Sequence, residues 1–128
     1  NNFAMVDAGF NDLVRPAMYG AEHQISLIGG NADDVAARAP QPTRVAGPLC
    51  ESGDVFTQSA GGDALPRLLP RAELGDLLVF HDAGAYGSSM SSNYNSRPLA
   101  AEVLVDGNEF RIIRRRQTIA ELLALEQL

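Results

Sequence analysis

Cys50, Glu51, Ser52, Gly53 and Asp54 set a thiol, two carboxylates and a hydroxyl within five consecutive positions. A thiol can deliver a proton, and a neighbouring carboxylate can hold an ammonium group. The five residues follow a strand-like stretch and carry turn chemistry, and loops held at strand ends by a rigid sheet are where sites gather. The same residues also read as a buried apolar cysteine followed by two solvated acids. Arg15 and Tyr19 are four apart, so one helical turn puts them on one face, where a guanidinium and a phenol make a carboxylate clamp. The other reading is an exposed arginine beside a tyrosine packed on the core. Tyr86 lies among small residues in Asp82-Ala83-Gly84-Ala85-Tyr86-Gly87, which let backbone or ligand approach closely. Its phenol could bond a phosphate oxygen, stack near a flat ring, or satisfy a backbone carbonyl at a corner. Residues 90–98 are dense in side-chain donors and acceptors, as either a partner-facing surface or polar filler.

Other chemistries are argued against. His23 and His81 are single and far apart, so both read as structural and no metal is expected. All ten basic residues are arginine, which leaves no lysine nucleophile or base and no amine to hold a carbonyl cofactor. One cysteine excludes an internal disulfide framework and a zinc site of several thiolates. The net charge of −6 argues against a nucleic-acid partner, and the Arg114-Arg115-Arg116 run reads as a strand end with alternating exposed faces. No apolar run approaches the roughly 20 residues of a membrane span, so no membrane partner is expected. A free thiol and no secretory leader point to the cytoplasm.

The elements that must position these groups are short. At 128 residues and 13.7 kDa, with 45% hydrophobic and 20% charged residues, the chain suits one folded domain spanning 1–128. Strands are expected at 3–7, 24–28, 44–47 and 77–81, the last apolar throughout and covered on both faces. Residues 101–105 and 109–114 form a hairpin about Asp106-Gly107-Asn108. Between 11 and 21, Pro16 and Gly20 limit any helix to one or two turns, with Asn11 or Asp12 as its cap. Residues 29–44 and 58–76 read as loops, and 82–98 as a small, polar stretch. A terminal helix covers 119–128, with Thr118 and Glu121 as a capping box. Six scattered strands without β-α alternation make the chain mainly β: an antiparallel β-sandwich or Greek-key barrel with short helices and a C-terminal helix.

Taken in order, these segments resemble diaminopimelate decarboxylase, a fold type III pyridoxal phosphate enzyme family of lysine biosynthesis. The resemblance runs through Asp7-Ala8-Gly9-Phe10-Asn11-Asp12, Arg15-Pro16, Tyr19-Gly20, Gly47-Pro48, residues 50–54, 82–87 and 90–98, and the arginine run with its leucine-rich tail. It implies the β-domain that follows an N-terminal (β/α)8 barrel, with pyridoxal 5'-phosphate and its lysine in the barrel. The opening Asn1-Asn2-Phe3, without methionine, reads as a cut from such a longer protein. The resemblance implies Cys50 as proton donor and Glu51 as the holder of the distal ammonium group, both contributed across a homodimer interface. Arg15 and Tyr19 match positions that bind the distal carboxylate, and Tyr86 one that touches both cofactor phosphate and substrate. The implied substrate is meso-diaminopimelate, decarboxylated at its D-configured centre to L-lysine. Related decarboxylases of ornithine, arginine or carboxynorspermidine also use a cysteine here, but a distal cation plus carboxylate calls for Arg15 and Glu51 together. The rival of another class is a stand-alone binding or assembly domain that kept the fold without the chemistry.

Overall fold

The structure, a computed structural model, describes residues 2–30 and 35–127. Asn1 and Leu128, the ends of the expected domain, and residues 31–34 of the first expected loop lie outside the described residues. Among the described residues, seven strands form three separate sheets, and none of these closes into a barrel. β1 (Asn2–Met5), β3 (Pro40–Ala46) and β4 (Arg67–Pro70) make one sheet in the order β1-β3-β4. β2 (Ile25–Ile28) pairs antiparallel with β5 (Leu77–Phe80), and β6 (Glu102–Asp106) with β7 (Glu109–Arg114). The β6–β7 turn holds Gly107 at φ 58°, as its sequence predicts.

Two strands extend into segments expected to be loops. β3 begins at Pro40, inside the first loop, and β4 falls wholly within the second. The prolines explain both the expectation and its failure. Pro40 and Pro42 lie where β3 pairs with β4 alone, opposite Pro70 and Leu68. The proline-free half, Thr43 to Ala46, is where β1 joins on the other side. Proline has no N–H for a second ladder, so it sits on the half that does without one. The β1–β3 pairing is parallel, an exception in a sheet set expected to be antiparallel and otherwise so.

The core is small: Leu13, Ile25, Val45, Phe56 and Leu69, flanked by Ala4, Val6, Ala8, Leu78, Phe80 and Ala83. Phe56 and Phe80 pack with ring centroids 4.5 Å apart. β5 alternates rather than being covered on both faces. Leu78 and Phe80 turn to the core while Leu77 is 62% exposed. An antiparallel pair with β2 needs only one covered face, and among the described residues Leu77 on the other face stays exposed. The β6–β7 hairpin is open on both faces, with Val103, Val105, Phe110 and Ile112 exposed on one and Leu104 and Ile113 on the other.

The helices are brief. α1 (Arg15–Tyr19) carries Pro16 in its first turn and stops at Gly20, φ 64°. Its N-cap is Val14, not Asn11 or Asp12; the Asp12 carboxylate instead accepts the Gly9 N–H at 3.0 Å, closing the preceding turn. α2 (Gly84–Ser89) forms in the small, polar stretch, to which the sequence assigns no element. α3 (Ile119–Leu122) has the expected Thr118–Glu121 capping box but ends after one turn. No described helix is long and apolar enough to cross a membrane.

Asp76 fastens the long connections. Its carboxylate accepts from Arg38 Nη1 at 2.5 Å, the Glu73 N–H at 2.7 Å and the Gly30 N–H at 3.3 Å. Arg38 foremost, then the Glu73 amide, pull its pKa from 3.8 down to about 2. A carboxylate depressed on folding adds stability that is full above its unfolded value and is lost as pH falls through its folded one. Acid titration of unfolding should therefore show the wild type losing its advantage over Asp76→Asn between pH 3.8 and about 2. An advantage unchanged across that window would contradict it.

Candidate functional site

The Cys50 turn begins where β3 hands over to a returning segment. The Gly47 N–H donates to the Asp54 carbonyl at 2.9 Å and the Phe56 N–H to the Val45 carbonyl at 2.8 Å, so residues 47–54 form a closed loop. Asp54 fills that loop from inside. It is 3% exposed, not a solvated turn residue. One carboxylate oxygen accepts the Leu49 N–H at 2.8 Å and the other the Phe10 N–H at 2.7 Å. Gln58 Nε2 donates to the Gly53 and Val55 carbonyls at 3.0 and 2.7 Å. Gly47 leaves the necessary room, because a Cβ there would stand 2.3 Å from Asp54 Oδ2.

With Asp54 turned inward, Cys50 and Glu51 are exposed at the tip. This removes the reading of Cys50 as a buried apolar residue. Glu51 Oε1 accepts the Gly53 N–H at 3.1 Å and the Ser52 hydroxyl at 3.2 Å, and Oε2 accepts the Tyr94 hydroxyl at 3.4 Å. The Gly53 amide, then the Ser52 hydroxyl, hold the Glu51 carboxyl below its usual range, so it is an anion at neutral pH. Desolvation first, then the Glu51 charge, push the Tyr94 phenol up, so it stays a donor.

Arg15 and Tyr86 meet although 71 residues separate them in sequence (86 − 15). Arg15 opens α1 and Tyr86 sits on α2, with the guanidinium carbon 3.9 Å from the ring centroid. Such stacking fixes the plane of a guanidinium and leaves its edge to donate. One edge nitrogen, Nη1, lies 3.5 Å from His23 Nε2. Tyr19 follows on α1 but is 58% exposed, with no hydrogen bond or ring contact among the described residues. The ring that meets Arg15 is therefore Tyr86 of α2 rather than Tyr19 of α1.

The loop at 7–12 ties the two groups together. Phe10 gives its N–H to Asp54 and packs its ring 4.9 Å from that of Tyr94. The Asn11 carbonyl accepts the Ser92 N–H at 2.9 Å, and Arg97 donates to the Asp7 carbonyl at 2.7 Å. Much of the polar 90–98 segment thus serves its own chain: Asn93 Nδ2 donates to the Arg97 carbonyl and to Gln117 Oε1, at 2.8 and 2.6 Å. Asn95 and Ser96 are held at φ 55° and 56°, a region few non-glycine residues take, directly beside Tyr94. Tyr94 is the site residue that sequence reasoning passed over. Its signal was a lone aromatic ring in a run of Ser and Asn, but the partner that gives it meaning, Glu51, is 43 residues away.

Residues 1–84, which carry β1 to β5 and the Cys50 turn, match the family described as "Pyridoxal-dependent decarboxylase, C-terminal sheet domain". The chain belongs to that family. Within it the likeness is to the sheet domain of diaminopimelate decarboxylases. The Streptomyces coelicolor enzyme is 64% identical over 126 residues, 98% of this chain and 28% of the relative. The Escherichia coli K12 enzyme is 61% identical over 127 residues, 99% of this chain and 30% of the relative. A crystal structure of diaminopimelate decarboxylase superposes with a TM-score of 0.93 at 62% identity, covering 96% of this chain and 29% of that one. The M. jannaschii enzyme in co-complex with L-lysine gives 0.81 at 39% identity, covering 98% and 26%. The chain thus spans less than a third of the length of these relatives.

The geometry of the turn makes a direct prediction. Asp54→Asn keeps the shape but withdraws one charged acceptor, and should cost about 1.5–3 kcal/mol in chemical denaturation. Gly47→Ala, which drives a methyl group into the same carboxylate, should cost about 1–3 kcal/mol. Wild-type stability in both would show that the buried carboxylate does not hold the turn.

Proposed function

We propose that this chain is the C-terminal β-domain of a meso-2,6-diaminopimelate decarboxylase, and that its exposed Cys50–Glu51 tip serves an active site completed by other polypeptide. The observation that carries this reading is the division of labour among the turn's acids. Asp54 is consumed in holding the backbone, which leaves a thiol and an ionised carboxylate side by side and open to solvent. Family membership and the identity to diaminopimelate decarboxylases support the substrate class.

A substrate with two amino-acid ends must have one end gripped while the other reacts. In this reading Glu51 takes the distal ammonium group, and Arg15, with Tyr19, takes the distal carboxylate by charge-assisted hydrogen bonds. Pyridoxal 5'-phosphate, when bound, supplies the electron sink for loss of carbon dioxide. The residues of this chain suit an accessory part in holding it. There is no lysine to anchor it, while the half-exposed Tyr86 phenol is free of hydrogen bonds among the described residues and suits a phosphate oxygen. Cys50 gives the proton that replaces the lost carboxylate, at the D-configured carbon, and L-lysine results.

The barrel bearing the lysine, and a second subunit of a homodimer across whose interface Cys50 and Glu51 act, are the partners proposed. The uncovered apolar face of β5 and the doubly exposed β6–β7 hairpin are surface such partners would cover. The cytoplasm, where the implied lysine biosynthesis runs, is the proposed compartment.

In the full-length enzyme, Cys50→Ala should lower kcat by about 10²–10⁴-fold, the usual worth of a positioned acid, with little change in KM. Meso-diaminopimelate should be turned over in preference to ornithine, arginine and carboxynorspermidine. The 128-residue chain alone should release no carbon dioxide. Turnover by that chain, or full activity of the alanine variant, would refute the assignment.

A further inference from the structure

His23 has no part in the roles above, yet it is 5% exposed and lies where β2, β5 and α1 come together. Its Nδ1 is 2.9 Å from the His81 carbonyl oxygen. A carbonyl only accepts, so Nδ1 carries a proton. In the neutral ring Nε2 is then a lone-pair acceptor, and it faces Arg15 Nη1 at 3.5 Å. Arginine only donates, so the polarity of the contact is settled. The main chain that carries the imidazole and its acceptor is fixed as well. The Arg67 guanidinium donates to the His23 carbonyl, and the His81 N–H donates to the Gln24 carbonyl at 2.9 Å. His81 is itself fixed by Ser26, its Nε2 lying 2.7 Å from the hydroxyl oxygen.

Arg15 is therefore constrained twice. Tyr86 fixes the plane of the guanidinium, and His23 fixes its rotation within that plane. Stacking alone leaves a flat cation free to turn about the ring normal, whereas an acceptor at one edge points the opposite edge outward. We propose that His23 is a positioning residue, whose Nδ1-protonated imidazole aims the outer edge of Arg15 at the substrate carboxylate. This rests on the reading of Arg15 under Proposed function.

The test separates the two nitrogens in the full-length enzyme. Asn at position 23 keeps a donor for the His81 carbonyl but offers no acceptor to Arg15. Gln places its oxygen near the position of Nε2 and restores the acceptor. His23→Asn should raise KM for meso-diaminopimelate about tenfold while kcat stays within about twofold, the pattern of lost ground-state binding, and His23→Gln should recover most of the loss. Arg15→Gln is the reference and should raise KM at least as much. If Arg15→Gln raises KM and His23→Asn does not, positioning by His23 is overturned and the role of Arg15 stands. If Arg15→Gln leaves KM unchanged, the reading of Arg15 falls and the inference with it. Should the Asn variant not fold, the ring ¹⁵N shifts of the wild-type enzyme decide. An Nδ1–H tautomer supports the proposal. An Nε2–H tautomer overturns it, because the ring would then turn a donor toward a donor.

Discussion

The Asp54 carboxylate accepts backbone N–H groups from Leu49 and Phe10, one within its own loop and one 44 residues away, and the site is arranged around it. A buried carboxylate without partners is costly, and one that satisfies two amides is a rigid two-point anchor. The first bond gives the loop its shape and so delivers Cys50 and Glu51 to the surface. The second draws in the Asp7-to-Asp12 loop, from which α1 and Arg15 follow. Gly47 is the counterpart, since only a residue without Cβ lets the carboxylate occupy that space. An acid in the turn thus works as structure, and Glu51 is left facing solvent.

Around this anchor, side chains are oriented by pairs of weak constraints rather than by single strong ones. Glu51 is drawn by the Gly53 amide on one oxygen and by the Tyr94 hydroxyl on the other. Arg15 has a ring against its face and an imidazole at its edge. Each contact is modest, but two from different directions remove most of the rotational freedom of a long side chain before a ligand arrives, which is where binding otherwise loses most. The left-handed backbone at Asn95 and Ser96 fits the same pattern, being bracketed by the bond from Asn93 Nδ2 to the Arg97 carbonyl beside Tyr94.

The fold leaves large apolar residues in water. A two-stranded hairpin has no core of its own, and β6–β7 shows apolar residues on both faces. β5 covers one face only. Such surfaces are unusual for an isolated domain and usual for one that is a part of a larger assembly, in accord with a chain that spans under a third of its relatives.

What was legible in the sequence was local. The Asp106-Gly107-Asn108 turn, the Thr118–Glu121 box and the Pro16 and Gly20 limits of α1 each depend on residues a few positions apart, where propensity and sterics act without tertiary help. The ordered segments around Cys50, Arg15 and Tyr86 also carried the family resemblance. β4, the first half of β3, and α2 were not legible, because proline, glycine and serine argue for loops until a neighbouring strand or a packed loop supplies the missing interactions. Nor were the pairings that define the site: Asp54 with Phe10, Glu51 with Tyr94, and Arg15 with Tyr86 and His23. The chain by itself determined which chemical groups were present and where it could turn. Only the tertiary structure decided which carboxylate was spent on backbone amides and which faced solvent, since that depends on burial and on partners brought from distant parts of the chain.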